Sequence, residues 1–347
     1  MTIIYHEDHG DLEHLRHSTI AVIGYGNLGR PLALNMRDSG VRVMVSEHDE
    51  QRYRQAIREG FELQPIEIAV QQSAIVVLTL PDEAMAEVYL TSISPHLHKG
   101  HSLIFASAYN VTFGFIEPPP FVDVGLVAPR TIGAAVRERY ENGQGFVSFV
   151  AVAQDATGAA WQTVLACAKA MGSLRAGAIE IGFEQEAHLD LFLQQGILPV
   201  FHHLIITSAN ILMNIGYPPE AVLMDLYLSG EFTDYLMRAA RDGLMKALRL
   251  TSLTSQYGTL SRMDRFNDLK LERLMEVTMD EIRNGDFAQE WAREYEDGYR
   301  RLKNLLKRQE DTDLWEWEQQ ALDMLYPFRN EEIDDDELNA LDDDNLS

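Results

Sequence analysis

Ile20-Ala21-Val22-Ile23-Gly24-Tyr25-Gly26-Asn27-Leu28-Gly29 places the spacing G-x-G-x-x-G straight after an apolar run and straight before a helical pattern over about 30–39. Each glycine has a mechanical task. Gly24 permits the tight turn, Gly26 lets backbone approach a pyrophosphate, and Gly29 lets the helix pack on the strand. The amides and dipole at the helix start then favour phosphate charge. Glu47 stands 18 residues beyond Gly29, at the end of the next β-like run, where an acid meets ribose hydroxyls. An acid there disfavours the 2′-phosphate of NADP. Arg52 and Arg54 follow closely, and arginine clamps phosphate well, so NADH and NADPH both remain open. The adjacent His202 and His203 point about 100° apart on a helix and do not share a ligand site. Cys167, on an apolar helical face, reads as buried and inert.

These residues need a sheet to hold them. Apolar β-like runs at 19–24, 41–46, 74–80, 102–106, 122–127 and 146–153 alternate with helical patterns. That alternation predicts a mostly parallel α/β sheet with helices on both faces, a Rossmann doubly wound domain over 1–182. From about 183 the β-like runs stop and helical spacing takes over at 184–195, 196–215, 221–247 and 264–284. An all-helical second domain over 183–328 is expected. The stretch 191–219 contains no Asp, Glu, Lys or Arg, yet carries Gln194, Gln195, His202, His203, Asn210 and Asn214. Such polar groups are costly in hydrocarbon, so it reads as helix buried in a core or subunit interface, not a membrane span. Trp315, Trp317 and 326–328 read as packing the last helix onto the core.

Composition narrows the function classes. The 347 residues are 46% apolar and carry a formal charge of −25. Nine acidic residues and no basic ones fall in 331–347, so 329–347 reads as an acidic, solvated, disordered tail. The remaining body is acidic too, which excludes a nucleic-acid phosphate backbone as partner. One cysteine excludes an intramolecular disulfide and suits a reducing cytoplasm. The start, MTIIYHEDHGDLEHL, lacks the pattern of a signal peptide.

Ten ordered stretches together resemble the ketol-acid reductoisomerase family, short-chain type. They are VIGYGNLGRPLALNMRDSGV, TLPDE, FASAYNVTFG, VDVGLVAPR, VAVAQDATGAA, RAGAIEIGFEQE, LDLF, IGYPPE, SQYG and NGDFAQEW, and they span roughly 5–328. The resemblance implies a helical domain that is knotted or interlocked between subunits, hence a homodimer or larger assembly. It implies cofactor contacts at Tyr25, Asn27, Leu28, Pro81 and Asp82. The implied reaction has two steps at two magnesium ions: alkyl migration in a 2-acetohydroxy acid, then hydride reduction of the resulting 2-oxo acid.

The chain departs from that pattern. Asp190 matches the family's bridging aspartate, but the glutamate one turn later is Gln194, a poorer ligand for a hard dication. On the partner helix the family has two glutamates four apart. One register puts Asp225 and Ser229 there, another Tyr227 and Glu231. At best Asp190, Asp225 and Glu231 remain, and one Mg²⁺ is expected. The family's histidine is Ser107, and its proton-handling lysine is Arg130, which stays charged and can still grip a carboxylate. Ser252 aligns with a substrate-contacting serine. Tyr109 could donate a proton to a reduced oxygen or pack beside the cofactor. These changes touch isomerisation more than hydride transfer. The expectation is an NAD(P)H-dependent oxidoreductase acting on a small 2-oxo or 2-acetohydroxy acid with Mg²⁺ assistance and a weakened isomerase step. The rivals are a true reductoisomerase of branched-chain amino-acid biosynthesis and a non-catalytic cofactor-binding or assembly protein.

Overall fold

A computed structural model describes residues 2–325 except 268 and 311. The end of the expected second domain at 326–328 and the expected tail at 329–347 lie outside the described residues. The described chain divides into two compact units after Asp190, eight residues beyond the expected boundary at 182.

The first unit is built on a nine-stranded sheet: β1 (Ile4–Tyr5), β2 (Thr19–Ile23), β3 (Arg42–Ser46), β4 (Glu62–Leu63), β5 (Ile75–Leu78), β6 (Ser102–Phe105), β7 (Asp123–Pro129), β8 (Ser148–Gln154) and β9 (Ala178–Glu180). Their spatial order is β1-β9-β8-β7-β6-β5-β2-β3-β4. All pairings from β4 across to β7 are parallel. β8 runs antiparallel to β7, and β1 antiparallel to β9. The series of strands therefore continues past 153, where the apolar pattern ended, because β1, β4 and β9 are only two or three residues long.

Alternation along each strand splits the core in two. Ile20, Val22, Ile75, Val77, Ile104 and Val127 pack on one face. Ala21, Ile23, Val76, Leu78, Leu103, Phe105 and Leu126 pack on the other. Cys167 is fully buried in the first layer, and burial pushes its thiol up to about 12. The chain order turns back between β2 and β5, so the carboxyl ends of these two strands flank the switch point where such sheets bind ligands.

The second unit is helical. Leu198–Asn214, Pro219–Leu223, Glu231–Asp242, Leu244–Arg249, Leu253–Leu260, Leu269–Asn284, Asp286–Glu296, Arg300–Glu310 and Asp313–Leu325 are its α-helices. The single helix expected over 221–247 is broken twice, at Gly230 (φ 80°) and Gly243 (φ 94°). Both adopt the positive φ that glycine tolerates and that ends helices. Ala209, Val222, Leu223 and Ala321 form a small core, with Trp317 and Leu314 against it; Trp315 stays exposed. The helix Phe183–Asn214 is long and apolar enough by length and composition to cross a membrane, and little of its apolar stretch is buried within the chain. Of the two settings expected, a core or a subunit interface, burial in this chain's own core is thus corrected. Leu193, Ile197, Leu204, Ile211 and Ile215 remain exposed.

Truncating Phe105, fully buried at the end of β6, to alanine is expected to cost about 3–5 kcal/mol in denaturant unfolding. Leu90→Ala, at a side chain 71% exposed, should stay within about 0.5 kcal/mol. Equal effects would contradict the assigned core.

Candidate active site

The glycine motif forms the turn after β2. Gly24, at φ 97°, donates its N–H to Ser46 O at 2.9 Å, and Thr79 Oγ1 donates to Ile23 O and Gly24 O at 2.9 and 3.0 Å. A Cβ on Gly29 would sit 2.1 Å from Gly24 O, whereas one on Gly26 would meet only Arg52 Nη1, at 3.8 Å. Gly29 therefore serves helix packing, and Gly26 leaves an open cradle. The space over Gly26 has room for a dinucleotide pyrophosphate.

Glu47 closes the loop from below. Its side chain is 3% exposed. Its Oε2 accepts the Tyr25 N–H at 2.7 Å, and its Oε1 accepts the His48 and Asp49 N–H groups at 2.8 and 2.9 Å. Tyr25, buried, donates its hydroxyl to Glu59 at 2.5 Å, and Arg30 holds the same carboxylate. Burial and the Glu59 bond push the Tyr25 hydroxyl well above its ordinary range. Arg52, in the first turn of the Glu50–Arg58 helix, donates its N–H to the Asp49 cap, while Arg54 pairs with Glu50. Asn27 packs so closely on Gly133 that a Cβ there would lie 2.0 Å from Asn27 O. Leu28 precedes the Gly29–Asp38 helix.

The second cluster lies at the carboxyl ends of β5, β6 and β7. Pro81 caps the Asp82–Val88 helix, Ser107 and Tyr109 follow β6, and Arg130 follows β7. Arg130 Nη2 donates to Asp190 Oδ1 at 2.7 Å, and its Nη1 donates to Glu186 Oε1 at 3.1 Å. The Phe149 ring lies 5.0 Å from the guanidinium carbon. Glu186 is buried, and its Oε2 accepts the Ala108 N–H at 2.9 Å. Burial and the nearby Asp190 push its carboxyl up to about 7, against the opposing Ala108 bond and Arg130 charge. Burial, then Glu83, Asp190 and Glu186, push Asp82 up to about 7 as well, while Asn110 opposes the shift. Ser107 Oγ accepts the Tyr109 N–H at 3.3 Å. The Tyr109 ring stacks on Phe115, and its hydroxyl is buried with no hydrogen-bond partner among the described residues.

The structure places Arg130, Asp190, Asp82, Ser107 and Tyr109, each singled out separately in the sequence, in one region at the carboxyl ends of β5 to β7. Sequence reasoning missed Glu186, although Glu186 and Asp190 are four apart, the spacing that puts two side chains on one helix face. It missed Glu59 and Thr79, which have no motif of their own.

The remaining candidates lie in the second unit. Asp225, exposed, falls in the turn Met224–Leu228, and Glu231, exposed, opens the next helix. Tyr227, the alternative to Asp225, donates its hydroxyl to Glu318. Ser252 caps the Leu253–Leu260 helix by accepting the Ser255 N–H, which gives it a structural task. Among the described residues, no three His, Cys, Asp or Glu side chains form a group arranged to hold a metal. The donors on the first unit do not fit a pair of divalent ions: Asp190 Oδ1 and both Glu186 oxygens already accept hydrogen bonds. A dication at Asp190 would face the guanidinium at about 4 Å, a repulsion on the order of 4 kcal/mol per unit of its charge in partly solvated surroundings.

Asp82 supplies a pH prediction. An unfolded aspartate titrates near ~4, and this one titrates at about 7. Its contribution to stability is therefore full below ~4 and is lost as pH rises towards 7. Asp82→Asn, neutral throughout, is expected to gain roughly 1–2 kcal/mol on wild type across that window and to run parallel above it. Thermal unfolding at pH 4–8 checks this; curves parallel throughout would refute it.

The comparisons with known proteins agree with this architecture. Residues 14–177 match the family model described as acetohydroxy acid isomeroreductase, NADPH-binding domain, and residues 183–326 match the ketol-acid reductoisomerase C-terminal domain. The ketol-acid reductoisomerase (NADP(+)) of Methanopyrus kandleri is 37% identical over 321 residues, covering 90% of this chain and 95% of its own. That of Sulfurisphaera tokodaii is 35% identical over 315 residues, covering 90% and 94%. The solved NADH-preferring ketol-acid reductoisomerase from an uncultured archean superposes with a TM-score of 0.87 at 31% identity, covering 92% of this chain and 98% of that one. With its Rossmann sheet, its helical second unit and matches along nearly its whole length, this chain belongs to the ketol-acid reductoisomerase family and is an NAD(P)H-dependent oxidoreductase.

Proposed function

We propose that this chain reduces a small 2-oxo acid with NADH and isomerises 2-acetohydroxy acids poorly or not at all. The observation that carries the reading is Arg130 forked between Glu186 and Asp190. The family's lysine at this position handles protons during alkyl migration; a guanidinium stays protonated and does not. Hydride transfer asks for less. A dihydronicotinamide held by the Gly24–Gly29 turn would supply the hydride for the substrate's carbonyl carbon, leaving the developing charge on its oxygen for this chain's side chains to meet. The Tyr109 hydroxyl, which has no hydrogen-bond partner among the described residues, would donate the proton to that oxygen once a rearrangement brings it to the substrate, and would recover one from water after product release. Arg130 stabilises the charge developing on oxygen.

The preference for NADH rests on Glu47, a fixed carboxylate next to the glycine loop, which repels a 2′-phosphate. The partners follow from the family: a small-molecule 2-oxo acid and a second copy of this chain, which would cover the exposed apolar side chains of the Phe183–Asn214 helix. A cytoplasmic homodimer with no nucleic-acid or membrane partner is part of this reading.

Incubation with 2-acetolactate or with a panel of 2-oxo acids, NADH and Mg²⁺, followed by product analysis, tests it. Reduction of at least one 2-oxo acid is expected to outpace dihydroxy-acid formation by about 100-fold. Dihydroxy acid formed at comparable rate would sink the reading. Glu47→Gln is expected to shrink the ratio of NADPH to NADH dissociation constants by about tenfold, some 1.4 kcal/mol, in nicotinamide fluorescence titrations. An unchanged ratio would remove Glu47 from selectivity.

A further inference from the structure

We infer that the Arg130 guanidinium replaces the divalent ions of the family reaction, so that this chain binds no magnesium at Asp190 and transfers hydride without it. The inference rests on the reductase reading above and extends it to the source of positive charge at the reacting oxygen.

Three observations converge. The guanidinium is held on two sides by carboxylates, Glu186 at 3.1 Å and Asp190 at 2.7 Å, and packs against the Phe149 ring. Glu186 is itself anchored, with a side chain 2% exposed and its second oxygen on the Ala108 amide. The cation therefore sits in a built position, not at the end of a free side chain. Second, Asp190 Oδ1, an oxygen a bridging ligand would turn to metal, is already accepting a charge-assisted bond, which is among the stronger hydrogen bonds. Third, the position one turn after Asp190 is the neutral Gln194, so the ligand set has one carboxylate fewer with which to offset a dication's charge. The family's lysine could not do what Arg130 does. Its ammonium is a compact point charge, whereas a planar guanidinium grips two carboxylates at once and is always charged. With Arg130 fixed on Glu186 and Asp190, hydride transfer gains a permanent electrophile, and alkyl migration loses the paired ions that hold both oxygens of its substrate.

The test is metal binding, read without any substrate. The full-length, NADH-loaded protein is titrated with Mn²⁺ while free Mn²⁺ is followed by electron paramagnetic resonance, and with Mg²⁺ by calorimetry. No site tighter than about 1 mM is expected. Arg130→Lys, which releases Asp190 from the fork, is expected to bind Mn²⁺ at least about tenfold more tightly, and Asp190→Asn added to it should abolish the gain. Circular dichroism confirms that the variants are folded; if one is not, the wild-type titration decides alone. Wild-type protein that takes up one or two Mn²⁺ below about 0.1 mM, with loss in Asp190→Asn, would overturn the inference. So would a folded Arg130→Lys chain with no gain. Because these titrations need no turnover, a chain that reduces none of the 2-oxo acids defeats the reductase reading separately.

Discussion

The first unit is organised around one arginine between two carboxylates. Arg130 lies at the carboxyl end of β7, where a parallel sheet presents its functional groups, and it reaches Glu186 and Asp190 on a helix that begins fifty-odd residues later. That contact draws the helix Phe183–Phe192 onto the sheet edge and places Ala108, Ser107 and Tyr109 beside it. Removing either acid leaves a charged guanidinium partly buried and under-paired, a costlier state than losing an exposed salt bridge. Burial first, and then the neighbouring carboxylates, raise the affinity of Glu186 and Asp82 for protons, while the Arg130 charge opposes the shift at Glu186.

The cofactor end follows a different logic, one of immobilised backbone. Glu47, Glu59 and Thr79 each bind a different part of the glycine turn: an amide, a tyrosine hydroxyl and a carbonyl pair. None needs to touch a dinucleotide to matter. Their effect is to hold the turn in the shape that offers amide groups to phosphate, so less ordering remains to be done on binding.

Much of this was legible in the sequence because local physics dictates it. The apolar runs of β2, β5 and β6 are buried on both faces and read without ambiguity, and the glycine spacing fixed the turn after β2. Arg130 and Asp190 emerged as a departure from the family pattern, yet their union did not, because nothing in the spacing of 130 and 190 reports a contact. The edge strands were hidden by brevity. The boundary drawn at 182 marked where β-like patterning stops; the fold divides after Asp190 because Glu186 and Asp190 reach back to the sheet. In the second unit the apolar periodicity over 221–247 continues through Gly230 and Gly243, so pattern alone joined what backbone conformation separates.

Two wide turns in the helical unit have a consequence for rotational phase. Leu193–Ile197 and Met224–Leu228 are π turns, in which the amide bonds to the carbonyl five residues back: Leu198 N–H to Leu193 O, and Ser229 N–H to Met224 O at 3.1 Å. Such a turn absorbs one extra residue. Side chains counted off by fours on either side of it drift around the axis and no longer form one column. Across Met224–Leu228, then, the interval between Asp225 and Ser229 is not the interval of a regular helix, and neither is that between Tyr227 and Glu231. The two competing registers of that segment differ by two residues, of which the wide turn accounts for one.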